Sequence, residues 1–259
     1  MTTILRRVVF VIVIIAIWEV ISKAGIFPTF MFPPLIIPSV PGGVTVLKTL
    51  AGGIMSGQIL AATGVTLSRL LIGFLIAVVL GLTFGFLIAR FKWVDDTLGY
   101  FVTALQSIPS IVWFPLAIVW FGLGNTAILF IVAIGATWTM TVNSSAGFKN
   151  VPSIYINAAR TLGSSGAHLL RTVILPASVP HIISGLRVAW AFAWRAIMAG
   201  ELLGAAGGLG YLLDLGRSTQ AMDLVLSIMI VIGLIGTIID NQVFLRMERS
   251  VSRKWGLRT

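Results

Sequence analysis

The sequence contains no cysteine and only two histidines, His168 and His181. Without thiols there is no disulfide framework, no cysteine nucleophile and no cysteine-bound metal, and two histidines are too few for a histidine-rich metal site. No lysine follows a glycine anywhere in the chain, which removes the phosphate-cradling loop that ends in Gly-Lys-Ser/Thr. Any ATP used here is bound by another chain. Charge is scarce as well: 10% of the residues are charged and only 8 are acidic, against about 25% charged in a soluble domain.

What replaces charge is apolar surface. Of the 259 residues 58% are hydrophobic and 27 are glycine. A soluble fold of this size has no way to hide so much apolar area behind so few charges. Six spans of about 20 residues would absorb most of it, so the expected fold is an all-α integral membrane protein of one domain, residues 1–259. The net charge of +10 does not point to nucleic acid, because the basic residues are scattered singly and in pairs between apolar stretches, as the positive-inside rule produces.

The first span is expected over Val8–Ile21, behind Arg6 and Arg7, with Glu19 placed to pair with Lys23 four residues on. A cleavable signal peptide is the competing reading of this segment, since Ser22-Lys23-Ala24 resembles a cleavage site. Residues 27–56 are rich in proline and glycine and are expected to hold no regular helix. The block Gln58–Arg90 is about 50 Å long if helical, too long for one perpendicular span; residues 58–68 are expected at the interface and 69–90 in the membrane. Gly81 and Gly85 form a small-xxx-small pair suited to helix packing, with a dimer contact as the alternative. A third span over 98–121 carries Pro109 and Pro115, which free carbonyls and bend the helix where neighbours or a cavity satisfy the backbone, and a turn at Gly122–Asn125 leads to a fourth over 126–147. There Thr137, Thr141 and Ser144 share one face, which fits helix–helix hydrogen bonds or a pore lining. The fifth and sixth spans are expected over 181–203 and 224–244. With six spans both termini lie in the cytoplasm, and thirteen basic residues, from Arg6 and Arg7 through Arg90, Lys149 and Arg160 to Arg246, Lys254 and Arg258, fall inside against three outside.

One cytoplasmic segment is long, 148–180. Its pattern predicts a helix from Pro152 to Leu162 stopped by Gly163, then a second helix capped by Ser164 or Ser165, holding Ala167–Leu175 and ending by Pro176. Ser178 and Pro180 suit the start of the fifth span. So short a first helix needs a groove or a membrane surface to lie on.

The segment NAARTLGSSGAHLLRTVILP resembles the cytoplasmic loop of ABC-importer permeases, whose pattern is Glu-Ala-Ala, a Gly three residues on and a closing Ile-x-Leu-Pro. Ala158, Ala159, Gly163, Ile174, Leu175 and Pro176 fill its places, with Asn157 where a Glu often stands. IPSIVWFPLAIVWFGLG, GLRVAWAFAWRAIMAGELL and GGLGYLLDLGR are similar to permeases of the sulfonate, taurine and nitrate importer group. The resemblance implies a type I importer fold in a bacterial plasma membrane, with two permease copies, two ATPase subunits that carry ATP and Mg, and an external binding protein. It implies no enzyme activity, cofactor or metal in this chain. It also makes the 157–176 loop, with Arg160 on another face of its first helix, the element that docks on the ATPase.

Two charges fall inside the fifth span. Arg195 and Glu201 point about 120° apart on a helix and cannot pair within it, so each needs a partner elsewhere or a wet cavity. Trp190 and Trp194 share a face beside Arg195. Arg195 fits an anion contact along the pathway or an inter-helix ion pair; Trp194, Glu201, Pro109, Thr137 and Thr141 complete the candidate pathway. A secondary transporter or channel is the alternative reading, but the chain shows no internal repeat. An intramembrane enzyme lacks its chemistry here.

Overall fold

The computed structural model describes residues 2–38 and 43–254; Arg258 and the side chain of Lys254 lie outside the described residues. Ten helices follow one another and no strand occurs among the described residues: α1 Thr2–Lys23, α2 Val46–Met55, α3 Gln58–Arg90, α4 Lys92–Gln106, α5 Ser110–Phe121, α6 Asn125–Lys149, α7 Ser153–Thr161, α8 Gly166–Gly204, α9 Leu209–Ser218 and α10 Met222–Arg253. Four of them (α3, α6, α8, α10) are long and apolar enough to cross a membrane, and α4 with α5 makes a fifth if the bent pair is one span. Six spans were expected. The remaining candidate, α1, carries Arg6, Arg7, Glu19 and Lys23 within its 22 residues.

The residues group into two compact units, Met1–Thr66 with Glu201–Leu234, and Leu67–Gly200 with Ile235–Thr259. In the first unit Trp18 of α1 stacks on Phe32 at 3.9 Å and its indole N–H donates to the Pro33 carbonyl. Glu19 does not pair with Lys23: its Oε1 accepts from the Ile36 amide at 2.5 Å, because the proline-rich segment folds back onto α1 and offers a backbone donor. The described residues of that segment before Thr45 hold no regular helix. Thr45 then caps α2 by accepting from the Lys48 amide, so a helix forms where none was expected. Asp223 at the start of α10 accepts from the Thr49 hydroxyl, and Ser227 donates to the Val46 carbonyl, joining α2 to α10.

The second unit is built on α6. Ile128, Ile131, Val132, Ala136 and Met140 are fully buried. Gly73, Gly81 and Gly85 of α3 face Val132, Met140 and Ser144 in turn, so α3 and α6 run in the same direction. The glycine pair packs helices within the chain: a methyl at Gly85 would overlap the Ser144 hydroxyl, which donates to the Gly81 carbonyl. Thr137 and Thr141 donate to carbonyls of their own helix. Along α8, Gly147 meets His181, Gly185 meets Asn143 and Gly200 meets Ile128, which makes α8 antiparallel to α6. Trp194 against Gly236 and Arg187 against Asp240 make α10 antiparallel to α8. These directions bring the C-terminal ends of α3, α6 and α10, with Arg90, Lys149 and Arg246, to the same end of the unit as α7.

α3 is one uninterrupted helix of 33 residues, since no proline or helix-terminating glycine turn falls inside it. The third span is bent, as its prolines led one to expect: α4 and α5 meet at 98° over Ser107–Pro109, where Pro109 supplies no N–H and biases the residue before it away from helix. One further expectation is corrected: the second helix of the cytoplasmic segment does not end by Pro176. A π-turn over Leu170–Ile174, closed by the Leu175 amide on the Leu170 carbonyl, carries it into α8, and Ser178 and Pro180 lie inside that helix rather than at its start. The wider turn accommodates the proline without a break.

Candidate functional site

α7 stands out because none of its residues is buried. Ile154 is 69% and Leu162 88% exposed, and Asn157, Ala158 and Arg160 are exposed beside them. Gly163 follows with φ +85°, a left-handed residue that turns the chain and lets the Ser164 amide close on the Ala159 carbonyl. Ser165, extended at φ −145°, then starts α8 without a side-chain cap. Pro176 lies ten residues into α8, past the π-turn. The sequence placed this helix and its terminating glycine correctly. Behind α7 a cavity of about 490 Å³ is lined by Arg160, Arg90, Phe86, Phe148, Leu169 and Leu170. A nine-residue helix with an exposed apolar edge is marginal alone and has the form of a docking element.

The pathway candidates fall at several places. Pro109 lies at the α4–α5 break and borders a cavity of about 220 Å³ with Ser107, Ser110, Trp138, Thr139 and Phe192. Thr137 borders a separate, wholly apolar cavity of about 440 Å³ with Leu80, Phe84 and Phe130, and Thr141 is enclosed. Trp194 stacks on Trp190 at 6.5 Å, and Trp190 meets Phe74 edge-on. Arg195 is exposed, with its guanidinium 5.2 Å from the Phe192 ring. A charge at mid-helix costs about 2.5–3.5 kcal/mol on insertion scales, so this exposed face belongs to a cavity or a protein contact rather than to lipid.

Glu201 is 1% exposed and is held within the first unit. Its Oε2 accepts from the Thr66 hydroxyl at 2.8 Å and from the Gly210 amide at 3.0 Å, while Thr66 Oγ1 accepts from the Leu209 amide at 2.8 Å. The carboxylate thus meets the first amides of α9, where the helix dipole favours negative charge. Gly208, at φ +106°, has no room for a methyl beside the Glu201 carboxylate. Thr66, Gly208 and Gly210 were not anticipated; the available signal was an acidic residue in an apolar helix just before a Gly-Gly pair.

Among the described residues no group of three His, Cys, Asp or Glu could hold a metal. Residues 77–249 match the family described as binding-protein-dependent transport system inner membrane component. A Methanocaldococcus jannaschii protein named as an ABC transporter permease is 36% identical over 88% of this chain and 84% of its own. The nitrate import permease protein NrtB of Synechococcus elongatus is 32% identical over 69% of this chain and 65% of its own. The taurine transport permease protein TauC of Escherichia coli is 29% identical over 86% and 80%. In fold, the chain is similar to an inward-facing structure of the MetNI methionine ABC transporter, with a TM-score of 0.64, 20% identity and coverage of 76% of this chain and 97% of that one. An exposed short helix, a bundle of apolar helices and a family match that spans both lead to one conclusion: the chain belongs to the binding-protein-dependent ABC importer permeases, in the nitrate, sulfonate and taurine group.

Proposed function

We propose that this chain, as two copies, forms the translocation pathway for a small anion and is driven through α7 by two ATPase subunits. As a family member it is a multi-pass inner-membrane permease and not an enzyme; ATP hydrolysis belongs to a separate subunit, and an external binding protein is implied by the family. In the proposed arrangement α1 is the sixth span, both termini and α7 face the cytoplasm, and the 259 residues act as one permease domain. ATP and Mg reside on the partner. The observation that carries the coupling is α7 itself: an apolar edge, Ile154 and Leu162, left uncovered beside Asn157, Ala158, Ala159 and Arg160 and fixed by the turn at Gly163. Asn157 offers an amide where a carboxylate would pair with a cation, so docking relies on shape and on Arg160.

The anion reading rests on Arg195. Its planar, paired donors match the oxygens of nitrate, sulfonate or carboxylate, and relatives are named for nitrate and taurine. Glu201, enclosed and bonded to α9, contributes by holding that helix. Arg195→Gln should keep assembly and basal ATP hydrolysis but remove most uptake. The competing ion-pair reading, with Glu201 of a second copy neutralising Arg195, expects poor assembly that Glu201→Gln restores. Full uptake in the single variant would defeat the anion contact.

A further inference from the structure

Between Lys23 and Lys48 the sequence carries no charge: residues 24–47 are aromatic, aliphatic, proline and glycine, with only Thr29, Ser39 and Thr45 as polar side chains. Within this stretch Ile26, Phe27, Phe30, Met31, Ile36 and Ile37 are each at least 48% exposed. In water, so contiguous an apolar surface is an aggregation hazard, and a protein interface would ring it with polar groups. The loop's uncovered side chains adjoin those of α1, where Leu5 and Val8 through Ile14 are exposed as well.

The loop does not stand away from α1 but returns along it. The Trp18 indole donates to the Pro33 carbonyl at 3.0 Å and its ring stacks on Phe32, while the Ser22 hydroxyl donates to the Phe32 carbonyl at 2.9 Å. Trp18 lies five residues before the end of α1 at Lys23, so the chain comes back by about 7.5 Å along the helix axis. Its backbone is provided for at that depth. Pro33 and Pro34 have no N–H, and Met31 and Phe32 donate to the Pro28 carbonyl. The Ile36 and Ile37 amides donate to Glu19 Oε1 at 2.5 and 3.4 Å. A segment whose polar groups are met by proline and by its own helix can leave bulk water at low cost.

We propose that residues 26–37 form a strap that lies in the membrane interface, with phospholipid as its partner. Phe27, Phe30, Met31, Ile36 and Ile37 enter the boundary between headgroups and acyl chains, where apolar faces reach about 5–10 Å deep, the same distance by which the strap returns along α1. Trp18 sits where indoles collect, its ring against apolar groups and its N–H on a carbonyl, and Lys23 at the helix end stays among the headgroups. Glu19 has its role here as the acceptor that holds two strap amides. The strap thereby anchors α1 sideways in the bilayer. It rests on the reading of α1 as a span.

The chain has no native cysteine, so single nitroxide labels can be placed at Phe30→Cys and Ile37→Cys in the strap and at Val13→Cys in α1. The full-length chain is reconstituted in vesicles of phosphatidylcholine and phosphatidylglycerol, and the collision of each label with oxygen and with a water-soluble nickel complex is read by power saturation. Both strap labels should meet oxygen several-fold more than the nickel complex, at a depth between the Val13 label and the headgroups. Labels that meet the nickel complex freely would overturn the strap and leave the loop in water, open to a binding protein. Labels shielded from both reagents would overturn it in favour of a second copy of the chain. The Val13 label reads the span separately. In lipid, with the strap labels in water, it would keep α1 as a span and remove the strap; in water itself, it would end the span reading and the strap together.

Discussion

Arg187 grips Asp240 with two hydrogen bonds, Nε to Oδ1 and Nη2 to Oδ2, both 2.7 Å long. Its third donor, Nη1, reaches Glu248 Oε2 at 3.0 Å, and Glu248 Oε1 accepts from Ser184. One guanidinium thus ties α8 to two turns of α10, at the π-turn Asp240–Phe244 and beyond it. Paired charge-assisted bonds fix geometry as well as adding energy. Arg187→Met should lower stability by about 2 kcal/mol, read as a lower thermal midpoint in detergent, and adding Asp240→Asn should recover part of the loss by removing the abandoned charge.

The close approach of α3 to α6 gives a second outcome. Gly85→Ala places a methyl against the Ser144 hydroxyl and within 2.9 Å of the Ser145 amide and the Thr141 carbonyl. Two backbone neighbours have little freedom to shift, so overpacking should cost about 1–3 kcal/mol. Gly233→Ala is the control: nothing lies within 4 Å of its added methyl, and the helix should gain up to about 1 kcal/mol. A midpoint unchanged by Gly85→Ala would contradict the packing.

The Thr66–Glu201 bond makes α9 a third target. Thr66→Val leaves the Leu209 amide without its acceptor and removes a donor from Glu201, at a cost of about 1–3 kcal/mol. Amide hydrogen exchange at Leu209 and Gly210 should accelerate, and Thr66→Ser should return it to the wild-type rate. Exchange unaffected by the valine would show that α9 is held in some other way.

How much of this was legible in the sequence depends on the range of the interaction. α6 and α7 lie close to their expected bounds, because apolar periodicity, Gly163 and Gly122–Asn125 are local signals. The errors sit where a distant partner decides. Glu19 binds the Ile36 amide, seventeen residues away, although Lys23 is one turn along its own helix. Pro176 was read as a stop because proline blocks an α-helical bond, whereas a π-turn absorbs it. The 98° bend follows from Pro109, but the sequence does not say that a break there opens a cavity against Trp138 and Thr139. Gly81 and Gly85 could be read as a packing pair; that they pack on α6 emerges only from the Met140 and Ser144 contacts.

At α7, Gly163→Leu adds a side chain at φ +85°, which costs on the order of 1 kcal/mol locally and thickens the surface proposed to dock on the ATPase. The variant should insert normally yet recover the ATPase poorly. Wild-type ATPase recovery would remove α7 from the coupling.

The central claim is ATP-driven import through this chain. It is tested most directly in proteoliposomes holding the permease with its ATPase, by following accumulation of labelled taurine or nitrate presented by the binding protein. Accumulation that requires both ATP and the binding protein, and that Gly163→Leu abolishes, is the predicted result. Accumulation driven by an ion gradient without ATP would contradict it.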